Sequence, residues 1–159
     1  MENSSKIQAY IDLRLALVKD EPEAMIAALQ NGADPNCSHY SHPPIFSAVL
    51  FGKLEIIKAL IAYGADVNYT LKNGATPLHA AVYLKTTDCA HILLDAGADP
   101  AVRNRSGDTP LDILIAQTLH RRPEQESITL IERMIEKGGK ANRINSATLT
   151  RLKEGNQKS

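Results

Sequence analysis

The chain has 159 residues, 43% of them apolar and 23% charged, and its 18 basic and 18 acidic side chains cancel to a net charge of zero. That balance suits one globular domain, or one short array, with a sizeable core, and it excludes wholesale disorder. It also argues against a nucleic-acid or membrane-surface protein held by bulk charge, and two cysteines exclude a disulfide scaffold. Lys6, Asp12, Arg14 and Lys19 interrupt the N-terminus, which has no apolar core of a secretory signal. No stretch reaches the roughly 20 apolar residues of a membrane-spanning helix. Cys37 and Cys89 read as reduced thiols, so the expected location is cytoplasmic, with a signal-peptide-independent route of secretion left open.

In chain order, Ser4 and Ser5 can start a helix over about 6–19 with Ile7, Ile11, Leu15 and Val18 on one face. Pro22 opens a second helix, to Asn31, with Met25, Ile26 and Leu29 inward. Asn31-Gly-Ala-Asp-Pro-Asn36 then introduces a pattern that returns as Tyr63-Gly-Ala-Asp-Val-Asn68 and Ala96-Gly-Ala-Asp-Pro-Ala101, with a worn copy at 137–142. Pro44, Pro77 and Pro110 keep step with it at intervals of 33 residues. Each proline begins a short helix, and a second follows; Ile56, Ile57, Leu60 and Ile61 make one apolar face, and Ile92, Leu93 and Leu94 hold the matching places one repeat later. At the end, Ser146 can cap a short helix over about 146–154 that carries Leu149 and Leu152 and stops at Gly155.

Two independent markers at one period define a repeat. Glycine after an apolar helical run supplies the left-handed residue that ends the helix. Threonine before proline fits an N-cap followed by a first helical residue that needs no N–H. Helix, turn, helix and a Gly-Ala-Asp-rich finger is the unit, and such a unit must stack on a neighbour to bury its apolar face. With Thr76-Pro77-Leu78-His79-Ala80-Ala81 and Gly64-Ala65-Asp66-Val67-Asn68, the chain resembles the ankyrin-repeat family over roughly 20–142. The resemblance implies an all-α solenoid of antiparallel helix pairs, β-hairpin fingers and a concave groove. It makes 1–159 a single domain. An N-terminal helix pair at about 5–35 precedes repeats at about 36–68, 69–101 and 102–142, and the C-terminal cap follows. It also makes His79 a structural hydrogen-bonding residue and Cys89 a small core side chain.

Three places depart from the pattern. The first finger, Cys37 to His42, is one residue short. Lys85 replaces the inter-helix glycine present as Gly52. The third repeat carries eight extra residues near 116–126, most simply read as two longer helices meeting at Pro123, with Glu124 and Glu126 at a helix start. Enzyme motifs are missing from the sequence: it has no phosphate loop, nucleophile elbow or paired-histidine metalloprotease signature. The one metal-like spacing, Cys37-x-His39-x-x-His42, lacks an obvious fourth ligand and reads more simply as polar turn residues. No cofactor is expected. Leu60 lies eight residues before Asn68, a spacing that resembles the pattern of asparaginyl hydroxylation on ankyrin fingers; Asn68 otherwise reads as a turn residue.

The expected function is a non-catalytic protein-interaction module: an adaptor, an inhibitor or a toxin-neutralising or effector protein, monomeric when unbound, with another protein as partner. The alternative is a metal-binding or enzymatic protein built on the Cys37/His39/His42 finger. Counted from the prolines, Leu50 and Phe51 align with Tyr83 and Leu84 and with Ala116 and Gln117, positions that the resemblance places in the groove. Its finger-tip positions fall on His39, Tyr40 and His42, then Lys72, Asn73 and Ala75, then Arg105, Ser106 and Asp108. Phe51 and Tyr83, with Tyr40 above them, are the expected anchors, and the alternative for these rings is to fold back onto the next repeat.

Overall fold

The computed structural model describes residues 2–37, 42–119, 124–141 and 150. The described residues form α1 (Glu2–Lys19), α2 (Pro22–Gln30), α3 (Pro44–Leu50), α4 (Leu54–Ala62), α5 (Pro77–Tyr83), α6 (Thr87–Asp95), α7 (Pro110–Leu119) and α8 (Gln125–Glu136). Consecutive helices pair. The first helices stack in the order α1, α3, α5, α7, and the second helices in the order α2, α4, α6, α8. This is an all-α repeat solenoid. The fingers at 69–75 and 102–108 are tight turns, closed by Leu71 N–H donating to the Ala75 carbonyl at 2.9 Å and Asn104 N–H to the Asp108 carbonyl at 3.0 Å. None of their residues is in a strand.

Local chemistry sets each boundary. Pro22, Pro44 and Pro77 open α2, α3 and α5, where a missing N–H costs nothing. Each of the first three pairs turns through one left-handed residue: Asp20 (φ 61°), Gly52 (φ 64°) and Lys85 (φ 59°). These lie 32 and 33 residues apart, the same step as the repeat. The α1/α2 pair is therefore in register with the repeats. Glycine takes this conformation freely, whereas Asp20 and Lys85 hold it against a Cβ clash.

The core is one continuous column. Leu13, Met25, Ile45, Phe46, Ile57, Leu60, Leu78, Leu94, Leu111 and Ile115 are fully buried within it. Ile7, Ile11, Leu15 and Val18 share one face of α1, as expected, and that face points to solvent; Ala9, Leu13, Ala16 and Leu17 face the core. Met25 and Leu29 are buried in α2 as expected, and Ile26 is half-buried. In the third repeat α7 has 10 residues and α8 has 12, against 7 and 9 in the preceding pairs, so both helices are indeed longer. Pro123 and the expected C-terminal helix with Leu149 and Leu152 lie outside the described residues.

Polar side chains staple the stack. The Asn36 amide donates to the Gly64 carbonyl (3.0 Å) and accepts from Asp66 N–H (2.7 Å). Asn68 repeats both bonds with the Gly97 carbonyl (3.1 Å) and Asp99 N–H (2.7 Å), so both ends of its amide are engaged. His79 closes a capping box on Thr76 and binds the next finger. Its Nδ1 accepts from Thr76 N–H (3.1 Å) and Oγ1 (2.9 Å), and its Nε2 donates to the Asp108 carbonyl (3.1 Å). In the third repeat Asp112 takes this place, accepting from Thr109 N–H and Oγ1 at 3.0 and 2.9 Å.

Two predictions follow from this packing. Leu78→Ala, Leu111→Ala or Leu13→Ala should each cost about 2–5 kcal/mol, read as a shift in denaturant midpoint, whereas Ile11→Ser should move it by less than about 0.5 kcal/mol. The His79 imidazole has its pKa lowered by burial, which the Asp108 carbonyl and carboxylate offset only in part. Below the ordinary value of 6.5 the unfolded chain takes up a proton that the native ring resists. The stability contributed by neutral His79 is thus complete above that pH and falls away below it, down to the lowered native pKa. Melting curves should show this loss on acidification, and His79→Gln should remove that part of the slope while costing stability at neutral pH.

Candidate functional site

The C-terminal ends of the first helices carry the surface that the core does not use. Aligning the repeats on Asp20, Gly52 and Lys85 makes Val18, Leu50 and Tyr83 equivalent, and likewise Lys19, Phe51 and Leu84. Val18 is 74% exposed, Phe51 and Tyr83 71% each, and Leu50 and Leu84 45% and 41%. Of the ten exposed large apolar side chains among the described residues, eight lie on first helices or the residues that end them; Tyr63 and Ile135 are the exceptions. That clustering separates the surface from scattered exposed apolar residues, which need no explanation.

Phe51 and Tyr83 do not fold back into the column. The aromatic that does is Phe46, buried one turn earlier and set edge-on to Tyr69 at 6.3 Å between ring centres. The third repeat continues the ladder differently: Ala116 is exposed, and half-buried Gln117 donates from Nε2 to the Tyr83 carbonyl at 3.2 Å. The ladder also extends further toward the N-terminus than the proline markers indicate. Val18 holds the Leu50 position, and Leu15, Ile11 and Ile7 continue along the same face of α1. These residues carry no proline marker; the signal for them is Asp20, one repeat interval before Gly52.

The expected finger-tip positions lie at the turns of 69–75 and 102–108. Lys72 and Asn73 are exposed, and the Asn73 carbonyl accepts from Arg105 N–H at 2.9 Å, joining adjacent fingers. Arg105 and Ser106 are exposed; Ala75 and Asp108 are half-buried, and Asp108 also donates its N–H to Asn104 Oδ1 at 3.1 Å. His42 is half-buried, its Nδ1 3.5 Å from Ser47 Oγ and its ring 6.1 Å from Phe46, so it belongs to the base of the first repeat. His39 and Tyr40 lie outside the described residues.

Reactive chemistry is sparse here. Among the described residues no three His, Cys, Asp or Glu side chains converge as metal ligands do. Burial, and secondarily Asp34, raises the Cys37 thiol pKa, which favours the protonated form that neither ligates nor attacks. The Cys89 thiol is raised too, chiefly by burial among core residues of α6. Among the described residues no helix is long and apolar enough to cross a membrane.

Comparison with known proteins fits this architecture. The family model for ankyrin repeats (3 copies) matches residues 13–104 and 45–145. Protein phosphatase 1 regulatory subunit 27 of Mus musculus is 41% identical over 70 residues, 44% of this chain and 46% of that protein. Protein PhlB of Serratia liquefaciens is 34% identical over 112 residues, 69% of this chain and 48% of its own length. Regulatory protein NPR5 of Arabidopsis thaliana is 52% identical over 62 residues, 38% of this chain and 13% of that protein. The chain thus spans less than half the length of each of these three. The family model covers well over half of the chain, and the stacked helix pairs agree with it: the chain belongs to the ankyrin-repeat family, whose members serve protein–protein interaction.

Proposed function

We propose that this protein is a non-catalytic binding module that grips a partner protein along the ladder Val18, Leu50, Phe51, Tyr83 and Leu84, with the finger tips as rim. The observation that carries this is the segregation of exposed large apolar side chains onto the first helices. Phe51 and Tyr83, each 71% exposed, are largely outside the packed column. Aromatic anchors surrounded by polar groups are what dominates binding energy at protein interfaces. Lys72, Asn73, Arg105 and Asp108 then set orientation and encounter more than affinity, with Gln117 completing the surface.

The similarity to a protein phosphatase 1 regulatory subunit supports a role in which binding modulates another protein. Adaptor, inhibitor and toxin-neutralising or effector roles all use such a surface, and a cytoplasmic location and a monomeric free state accord with it. Partners recovered by affinity capture from the native host should bind Phe51→Ala and Tyr83→Ala more weakly by about 1–2 kcal/mol or more. The melting temperatures of both variants should stay at the wild-type value. Intact affinity combined with a large loss of stability would place both rings in the core and the interface elsewhere.

A further inference from the structure

The ladder ends at a cleft of about 110 Å³ between the second and third repeats. The extra turn of α7 and of α8, roughly 4.5 Å each, builds its outer wall. That wall carries Gln117 and Thr118 from the end of α7, and Glu124, Glu126 and Ser127 from the start of α8. The facing wall is the inter-helix turn of the second repeat, where Lys85 replaces glycine. Two of the three departures from the repeat therefore meet in one place.

The floor is apolar: Ala81, Val82, Leu114 and Leu130 line it, all buried. Thr118 turns its hydroxyl hydrogen away, to the Ile115 carbonyl at 2.8 Å. Among the described residues at the mouth, the carboxylates of Glu124 and Glu126, both exposed, outnumber the one ammonium, that of exposed Lys85. An apolar shaft beneath carboxylates fits a long aliphatic side chain with a cationic tip. The volume suits one side chain; a dry cavity of about 150 Å³ holds a single benzene. Gln117 lines the cleft and also holds the Tyr83 carbonyl, so cleft and ladder are continuous.

We propose that this cleft takes one lysine or arginine side chain of the protein that docks on the ladder, its methylenes on the apolar floor and its cation at Glu124 and Glu126. The assignment rests on the ladder being a protein-binding surface, but its test does not need the partner. The full chain is titrated, with backbone amide NMR shifts as readout, with N-acetyl-lysine methylamide, its norleucine counterpart of equal stem length, and the glutamate counterpart. The lysine compound should shift the Ala81, Thr118 and Ser127 amides at millimolar concentration and bind about fivefold more tightly than norleucine. That preference should shrink with added salt, a measurement on the unaltered protein. Glu124→Gln/Glu126→Gln, checked for an unchanged melting temperature, should abolish it while leaving norleucine binding as it was. Equal binding of lysine and norleucine, a preference for glutamate, or unmoved amides would each overturn the proposal. None of these results bears on Phe51 and Tyr83, whose own variants decide the ladder.

Discussion

A helix pair of 7 and 9 residues cannot stand alone. Such helices are shorter than the roughly 12–15 residues at which isolated helices become even marginal in water, and each has an apolar face with nothing of its own to cover it. Stacking is the constraint from which the rest follows. Ile45, Leu78 and Leu111 fill the column between first helices. Asn36 and Asn68 fix the vertical step by bonding both the carbonyl and the N–H of the next Gly-Ala-Asp segment. Because every pair leans on its neighbours, the turns between helices must present the same geometry each time. Asp20 and Lys85 accept a left-handed backbone for that reason.

The repeat was legible because its markers are tied to backbone chemistry: a left-handed helix end and a proline-opened helix constrain residue type wherever they recur. The inward face of α1 was not legible, and the reason is physical. That helix is apolar on two sides. The larger side chains, Ile7, Ile11, Leu15 and Val18, point outward, while Ala9 and Ala16, with Leu13 and Leu17, let α1 approach its neighbours closely. Hydrophobic periodicity identifies faces but does not rank them, and ranking by size selects the wrong one here. The α1/α2 turn carried the missing information in Asp20, which looks like an ordinary loop residue until it is counted back from Gly52.

The candidate surface was half legible. Counting from Pro44, Pro77 and Pro110 put Leu50, Phe51, Tyr83 and Leu84 together, and the structure leaves all four exposed. What the count could not supply was the continuation onto α1, which has no proline marker, or the cleft, which depends on how far two lengthened helices project past the second repeat's turn. Neither quantity is periodic, so a periodic argument had no hold on it.

The third repeat shows how an array acquires an identity without losing its stack. Ala101 stands where Asn36 and Asn68 stand earlier, and it has no amide with which to reach the following segment. Asp112 replaces His79, keeping the local capping bonds to Thr109 but not a ring that spans to the next finger. Thr109 Oγ1 donates to the Lys140 carbonyl at 3.4 Å, and on the second-helix side Arg133 of α8 pairs with Asp95 and lies 3.0 Å from His91 Nδ1. The third repeat also departs from the helix lengths of the two repeats before it: the longer ends of α7 and α8 bring Gln117, Glu124 and Glu126 to one cleft, and Gln117 holds the Tyr83 carbonyl. Variation set beside a repeated packing scheme is how one fold presents different binding surfaces, and in this chain that variation lies at the end of the apolar ladder.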